Sequence, residues 1–167
     1  MTSKLLEAFP PVFQSDAEVL VLGSMPGAIS LERQSYYAHP RNLFWPFVEC
    51  LFNSEEELTY LDRLSLVKAN KIALWDVLAG CQREGSLDSN IQVKSEQPND
   101  FEGILSQCLQ LRRICFNGKK AESLFYKYID PQCYKSYELV SLPSTSPANA
   151  AMSKELKYNR WSMALCS

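Results

Sequence analysis

Four short apolar runs, each closed by turn-forming or polar residues and separated from the next by helical spacing, constrain the fold of this chain more than any other feature. They cover residues 17–22, 71–75, 113–116 and 137–142. The first ends at Gly23 and has the near-continuous aliphatic character of a strand buried on both faces of a parallel sheet. Residues 43–52, 55–69, 101–109, 119–128 and 153–165 carry apolar residues at helical spacing. Regular alternation of strand and helix implies right-handed crossovers and a central four-stranded, mainly parallel sheet with helices on both faces. The expected fold is a three-layer α/β/α domain.

With 167 residues, 46% of them hydrophobic, the chain is of a size to build one core, so a single domain over residues 1–167 is expected. It has no run of 18 apolar residues and no leader-like amino terminus, so neither a membrane span nor export is expected. Six scattered cysteines without a Cys-x-x-Cys pair read as reduced thiols of a cytoplasmic protein, and nothing in the pattern asks for more than a monomer. One histidine and no acidic cluster leave little from which to build a metal site. No Gly-x-Gly-x-x-Gly or phosphate-loop motif calls for a cofactor. The net charge of −2 does not suit a protein that holds nucleic acid by bulk electrostatics, so any such contact must be local. Candidate basic clusters are Arg33 with Arg41, Lys119 with Lys120, and Lys154, Lys157 and Arg160, each of which also reads as a solvated face.

In parallel sheets the ligand site lies beyond the carboxyl ends of the strands, here residues 23–42, 76–88, 117–119 and 143–149. An irregular stretch as long as 23–42 is either functional or hides a helix. It opens with Gly23-Ser24-Met25-Pro26-Gly27, a stiff turn that lets backbone approach a ligand closely, or an ordinary structural turn. It closes with Tyr37-Ala38-His39-Pro40, then Asn42, then Phe44-Trp45. After the fourth run comes Pro143-Ser144-Thr145-Ser146-Pro147-Ala148-Asn149, by composition a surface loop.

The segment from Tyr37 to Trp45 closely resembles the loop of mismatch-specific uracil-DNA glycosylases, which pair it with a Gly-x-Asn-Pro-Gly turn after the first strand. The segment from Pro143 resembles the Pro-Ser loop that the same superfamily inserts into the minor groove. With Trp75-Asp76 and Phe116-Asn117-Gly118 at the intervening strand ends, the pattern is similar to the hypoxanthine-DNA (deoxyinosine) glycosylases of the uracil-DNA glycosylase superfamily. Two positions depart from the uracil-excising pattern. Met25 stands where those relatives place a water-positioning Asp or Asn, and Leu142 stands where many carry a polar residue before Pro-Ser.

The resemblance implies a monofunctional enzyme that flips a deaminated base, hypoxanthine for preference, out of damaged, double-stranded DNA and hydrolyses its N-glycosidic bond. Asn42 is then the catalytic residue that orients water, although an Asn there also reads as the cap of a helix beginning near Leu43. Tyr37 is either the platform under the flipped base, a contact worth about 1–3 kcal/mol, or a core aromatic. His39 is an acid–base group or a structural hydrogen-bonding residue. The turn Gly23, Ser24, Met25, Pro26 and Gly27 would receive the base's oxygen or a phosphate through the backbone N–H groups of its non-proline residues. Pro143, Ser144, Thr145, Ser146, Pro147 and Asn149, with Lys119 and Lys120, would hold the DNA. Asp76 reads as a capping or structural carboxylate near the pocket. A uracil or thymine mispair glycosylase of the same fold, a non-catalytic nucleic-acid-binding module and a small-molecule α/β enzyme are the competing readings.

Overall fold

A computed structural model describes residues 4–52 and 55–166. In chain order the strands are β1 (Leu5–Glu7), β2 (Val19–Gly23), β3 (Ile72–Asp76), β4 (Leu78–Gln82), β5 (Gln97–Pro98), β6 (Arg113–Asn117) and β7 (Glu138–Leu142). The helices are α1 (Ala28–Arg33), α2 (Phe44–Leu51), α3 (Tyr60–Ala69), α4 (Phe101–Gln107), α5 (Lys119–Tyr128), α6 (Pro131–Tyr134) and α7 (Lys154–Cys166).

The four runs expected as strands form one sheet in the order β3-β2-β6-β7. All its strand pairings are parallel, and one isolated antiparallel bridge joins Val12 to Leu74 of β3, so the sheet is mainly parallel as expected. Successive strand residues face opposite sides. Leu20, Leu22, Ala73, Trp75, Ile114 and Phe116 pack on one side with Phe101, Ile104, Leu124 and Phe125 of α4 and α5. Val19, Val21, Ile72, Leu74 and Cys115 pack on the other with Phe44, Phe47, Val67 and Trp161 of α2, α3 and α7. Burial of each such side chain stabilises by about 1.5–3 kcal/mol, and burial on both faces explains why the strand sequences are continuous rather than alternating. The result is the three-layer α/β/α arrangement.

A second sheet was not anticipated. Strands β1, β4 and β5 pair antiparallel in the order β1-β4-β5. Only Val77 separates β3 from β4. At this junction the Val77 N–H donates to Gly23 O (2.8 Å) and the Leu78 N–H to Ser24 O (3.1 Å), so the small sheet anchors the loop that leaves β2.

Helix limits also differ from expectation. The helix expected over 55–69 begins only at Tyr60, because Thr59 and Asp62 cap each other: the Asp62 N–H donates to Thr59 Oγ1 and the Thr59 N–H to the Asp62 carboxylate. The long irregular stretch after Gly23 does hide a helix, α1, which ends where Gln34 turns left-handed at φ 51°. Among the described residues, no helix is long and apolar enough to cross a membrane.

Strand β2 lies between β3 and β6, and the connection from β2 to β3, through α2 and α3, packs on one face of the sheet while that from β3 to β6, through α4, packs on the other, which opens a crevice above the carboxyl end of β2. Gly23 is in register with Asp76, and Asn117 with Leu142, so all four strand ends meet at that edge.

Candidate active site

A cleft of about 690 Å³ opens at this edge, of a size usual for small-ligand sites. Gly23, Ser24, Met25, Pro26, Gly27, Tyr37, His39 and Asn42 line it from the first loop, and Ser144, Thr145, Ser146, Pro147 and Asn149 from the second. Asp76 and Asn117 reach it from the ends of β3 and β6. Pro143, Lys119 and Lys120 are not in its lining. Pro143 O instead accepts from Trp161 Nε1 at 2.9 Å, and Lys119 and Lys120 occupy the first turn of α5.

The turn after β2 is pinned through its carbonyls. Gly23 O accepts from Val77, Ser24 O from Leu78 at the start of β4, Pro26 O from Arg83 Nη2 (2.6 Å) and Gly27 O from the Leu31 N–H. The N–H groups of Ser24, Met25 and Gly27 have no partner among the described residues. Such a turn offers donors to an anion or a carbonyl oxygen. Gly23 is required sterically, since a Cβ there would lie 2.5 Å from Asp76 Oδ1.

Tyr37 lines the cleft in a left-handed conformation, φ 54°, a geometry that costs a non-glycine residue about 1–3 kcal/mol. Its ring lies 4.3 Å from that of Phe44, which in turn packs edge-on against Trp45 and Trp161. The neighbouring Tyr36 is fixed in the core, its hydroxyl donating to Pro10 O and its carbonyl accepting from Trp45 Nε1. The Tyr37 ring is thus rooted in the core through Phe44 and also forms part of the cleft wall.

Asn42 lines the cleft and also holds the start of a helix. Its Oδ1 accepts the Phe44 N–H at 2.9 Å, which fixes the start of α2, and its Nδ2 has no partner among the described residues. The His39 carbonyl accepts the Asn42 N–H, and His39 Nδ1 accepts the Arg41 N–H at 3.0 Å. That bond gives His39 a structural role in the turn and leaves Nε2 as its remaining ring nitrogen.

Beneath the cleft lies a buried polar group that the sequence did not bring together. Asp76 is 3% exposed and Arg83 4% exposed. Ser24 Oγ donates to Asp88 Oδ1 at 2.7 Å, and Arg83 Nε donates to Gly85 O. Burial, followed by repulsion from Asp88, pushes the Asp76 carboxyl up to about 7, against the opposing pull of Arg83. Burial also raises the Asp88 carboxyl and the Tyr37 phenol. Ser86, Leu87 and Asp88 complete the lining, and Ser86 Oγ caps α1 by accepting the Ala28 N–H. Arg83 and Asp88 belong to a polar excursion between β4 and β5 that reads as surface; Ser24 and Asp88 are 64 positions apart.

The second loop is suspended from several elements. Asn117 holds Thr145 by two bonds, Nδ2 to Thr145 Oγ1 and the Thr145 N–H to Oδ1, each 2.9 Å. Thr145 O accepts the Leu43 N–H, which ties this loop to the first. From α7, Trp161 binds Pro143 O and the buried Lys157 binds Asn149 O. Ser144 Oγ and Ser146 Oγ each accept a backbone N–H two residues on, which leaves both hydroxyl protons to donate. Leu142 is 5% exposed within the α2–α7 side of the core, so the departure there serves packing. Met25, 6% exposed, faces the cleft.

Residues 10–164 match the family described as the uracil DNA glycosylase superfamily. The chain is 40% identical over 154 residues to a hypoxanthine DNA glycosylase of Methanosarcina acetivorans, covering 92% of this chain and 93% of that protein. It is 36% identical over 152 residues to a protein of the same name from Methanosarcina barkeri, covering 90% and 92%. A solution NMR structure of a candidate uracil DNA glycosylase from Methanosarcina acetivorans superposes with a TM-score of 0.80 at 37% identity, covering 97% of both chains.

Proposed function

The chain belongs to the uracil-DNA glycosylase superfamily, and we propose that it is a monofunctional DNA glycosylase that releases hypoxanthine from deoxyinosine in base excision repair. The enzyme class is a hydrolase of N-glycosyl bonds. The observation that carries the choice of base is the first loop itself. It presents a core-rooted aromatic ring and a free amide in one cleft, while Met25 occupies the place where uracil-excising relatives position water.

In this reading the deaminated base leaves the stack, at a cost lowest for a poorly paired base, and lies against Tyr37. Asn42 holds the attacking water or the base through Nδ2, its Oδ1 being committed to α2. The free N–H groups of Ser24, Met25 and Gly27 receive oxygen charge on the departing base. His39, with Nδ1 engaged, shapes the turn. Ser144, Ser146, Pro147 and Asn149 form the edge that enters the minor groove, Thr145 (1% exposed and held by Asn117) and Pro143 are its anchored roots rather than DNA contacts, and Lys119 and Lys120 bind a neighbouring phosphate. We assign no cofactor or metal to this chemistry. The chain acts as one domain and as a monomer on double-stranded DNA in the cytoplasm, at the nucleoid in a prokaryote.

A panel of end-labelled duplexes, each with one hypoxanthine, uracil or xanthine, followed by alkali, tests the assignment. Strand cleavage at hypoxanthine well above that at uracil is expected. Cleavage at uracil alone would move the chain to the mispair branch.

A further inference from the structure

We propose that Asp76 is the general acid of base release, its carboxyl group giving a proton to the O6–N7 edge of the purine as the bond to the sugar breaks. The inference rests on the glycosylase reading above.

Two side chains in the cleft lining, among the described residues, hold a buried polar atom without a hydrogen-bond partner: Asp76 through Oδ2 and Tyr37 through its hydroxyl. Leaving a buried polar atom unpaired costs about 1–3 kcal/mol, and such a cost at a strand end facing a cleft points to a ligand that supplies the partner. Of the surrounding polar groups, Ser24 serves Asp88, Asn117 serves Thr145, and Arg83 gives Nη2 and Nε to the carbonyls of Pro26 and Gly85, while its Nη1 is buried without a partner like Asp76 Oδ2. Gly23 leaves the space that Asp76 Oδ1 occupies, so the carboxyl is held at the base of the cleft beside the Tyr37 hydroxyl. A base stacked on Tyr37 with its O6–N7 edge turned inward would bring that edge to the carboxyl.

The charged and titratable neighbours favour the acid form. Asp88, from the turn after β4, repels the ionised carboxylate, Tyr37 from the first loop adds no positive charge, and Arg83 at the end of β4 is the opposing cation. Lys120 of α5 acts on Asp88. The carboxyl therefore titrates near neutrality, where a general acid is most effective.

The proton balance closes without a further reagent. The electron pair of the C1′–N9 bond passes to the purine, the Asp76 proton neutralises it at N7, and hypoxanthine departs uncharged. Water adds to C1′ and loses a proton to solvent, and the Asp76 carboxylate takes up a proton from solvent, which restores the acid. With Met25 unable to activate that water, leaving-group protonation supplies assistance at the other end of the breaking bond.

The test is single-turnover release of hypoxanthine from a duplex across neutral pH by wild type, Asp76→Asn and Asp76→Ala. Asn keeps the shape and a donor but has no proton to transfer. The wild-type rate should fall about tenfold per unit as pH rises past the acid's titration. Asp76→Asn should bind the duplex as wild type does, lose about 100-fold in rate at slightly acid pH, and show a flat profile. A wild-type rate that stays flat across neutrality, or an Asp76→Asn rate and profile matching wild type, overturns the proposal alone. The wild-type profile decides the matter even where a variant does not fold. A wild-type protein that releases hypoxanthine at no pH overturns the glycosylase reading and this inference together.

Discussion

The two loops that meet over the cleft are held in opposite ways. The first is fixed from within: its carbonyls bind β4 and Arg83, and its tyrosines root in the aromatic core. The second is hung from outside, by Asn117 of β6 and by Lys157 and Trp161 of α7, with its serine hydroxyls turned to short turns of its own. The surface assigned to the base is thus an extension of the core, whereas the edge assigned to the DNA backbone is a strap that can be loosened separately. Changes in the first loop should alter the rate of base release, and changes in the second should alter affinity.

Asn42→Ala should give the largest effect. Losing the amide should lower single-turnover release by about 100- to 1000-fold. Losing the bond to the Phe44 N–H should cost only about 1 kcal/mol of stability by thermal or urea unfolding. A near wild-type rate would remove Asn42 from the chemistry. Tyr37→Ala should cost about 1–3 kcal/mol of base stacking, read as slower release at saturating enzyme. Thr145→Val removes the acceptor for Asn117 Nδ2 and should cost about 0.5–1.5 kcal/mol of stability. Its release rate at saturating enzyme should hold while duplex affinity weakens. A drop in that rate instead would break the division of labour between the loops. Lys119→Ala is the mildest change. It should reduce the slope of log affinity against log salt by about 0.9, without altering the choice of base.

The four-stranded sheet was legible because each strand is buried on both faces and so carries a continuous aliphatic run, as Val19, Leu20, Val21 and Leu22 do. The second sheet was not. β1 has three residues and β5 two, too short for any period, and they matter only through pairing with β4. Helix α1 escaped notice because Gly27 caps it without a side chain and it buries only Ser30. Within the cleft, Tyr37 and Asn42 were visible as a local pattern. The carboxyl pair of Asp76 and Asp88 was not, because only the fold brings the ends of β3 and of the β4 excursion beneath one turn. Leu142 looked like a lost polar group and proves to be a core residue.

The most direct measurement is free base. Wild-type protein is incubated with a duplex carrying one hypoxanthine, and both the released base and the remaining strand are quantified. One equivalent of hypoxanthine should appear for each strand that becomes alkali-labile, with the strand intact before alkali. Salt-sensitive binding of the same duplex with the hypoxanthine still attached would contradict the account and leave a binding module in its place.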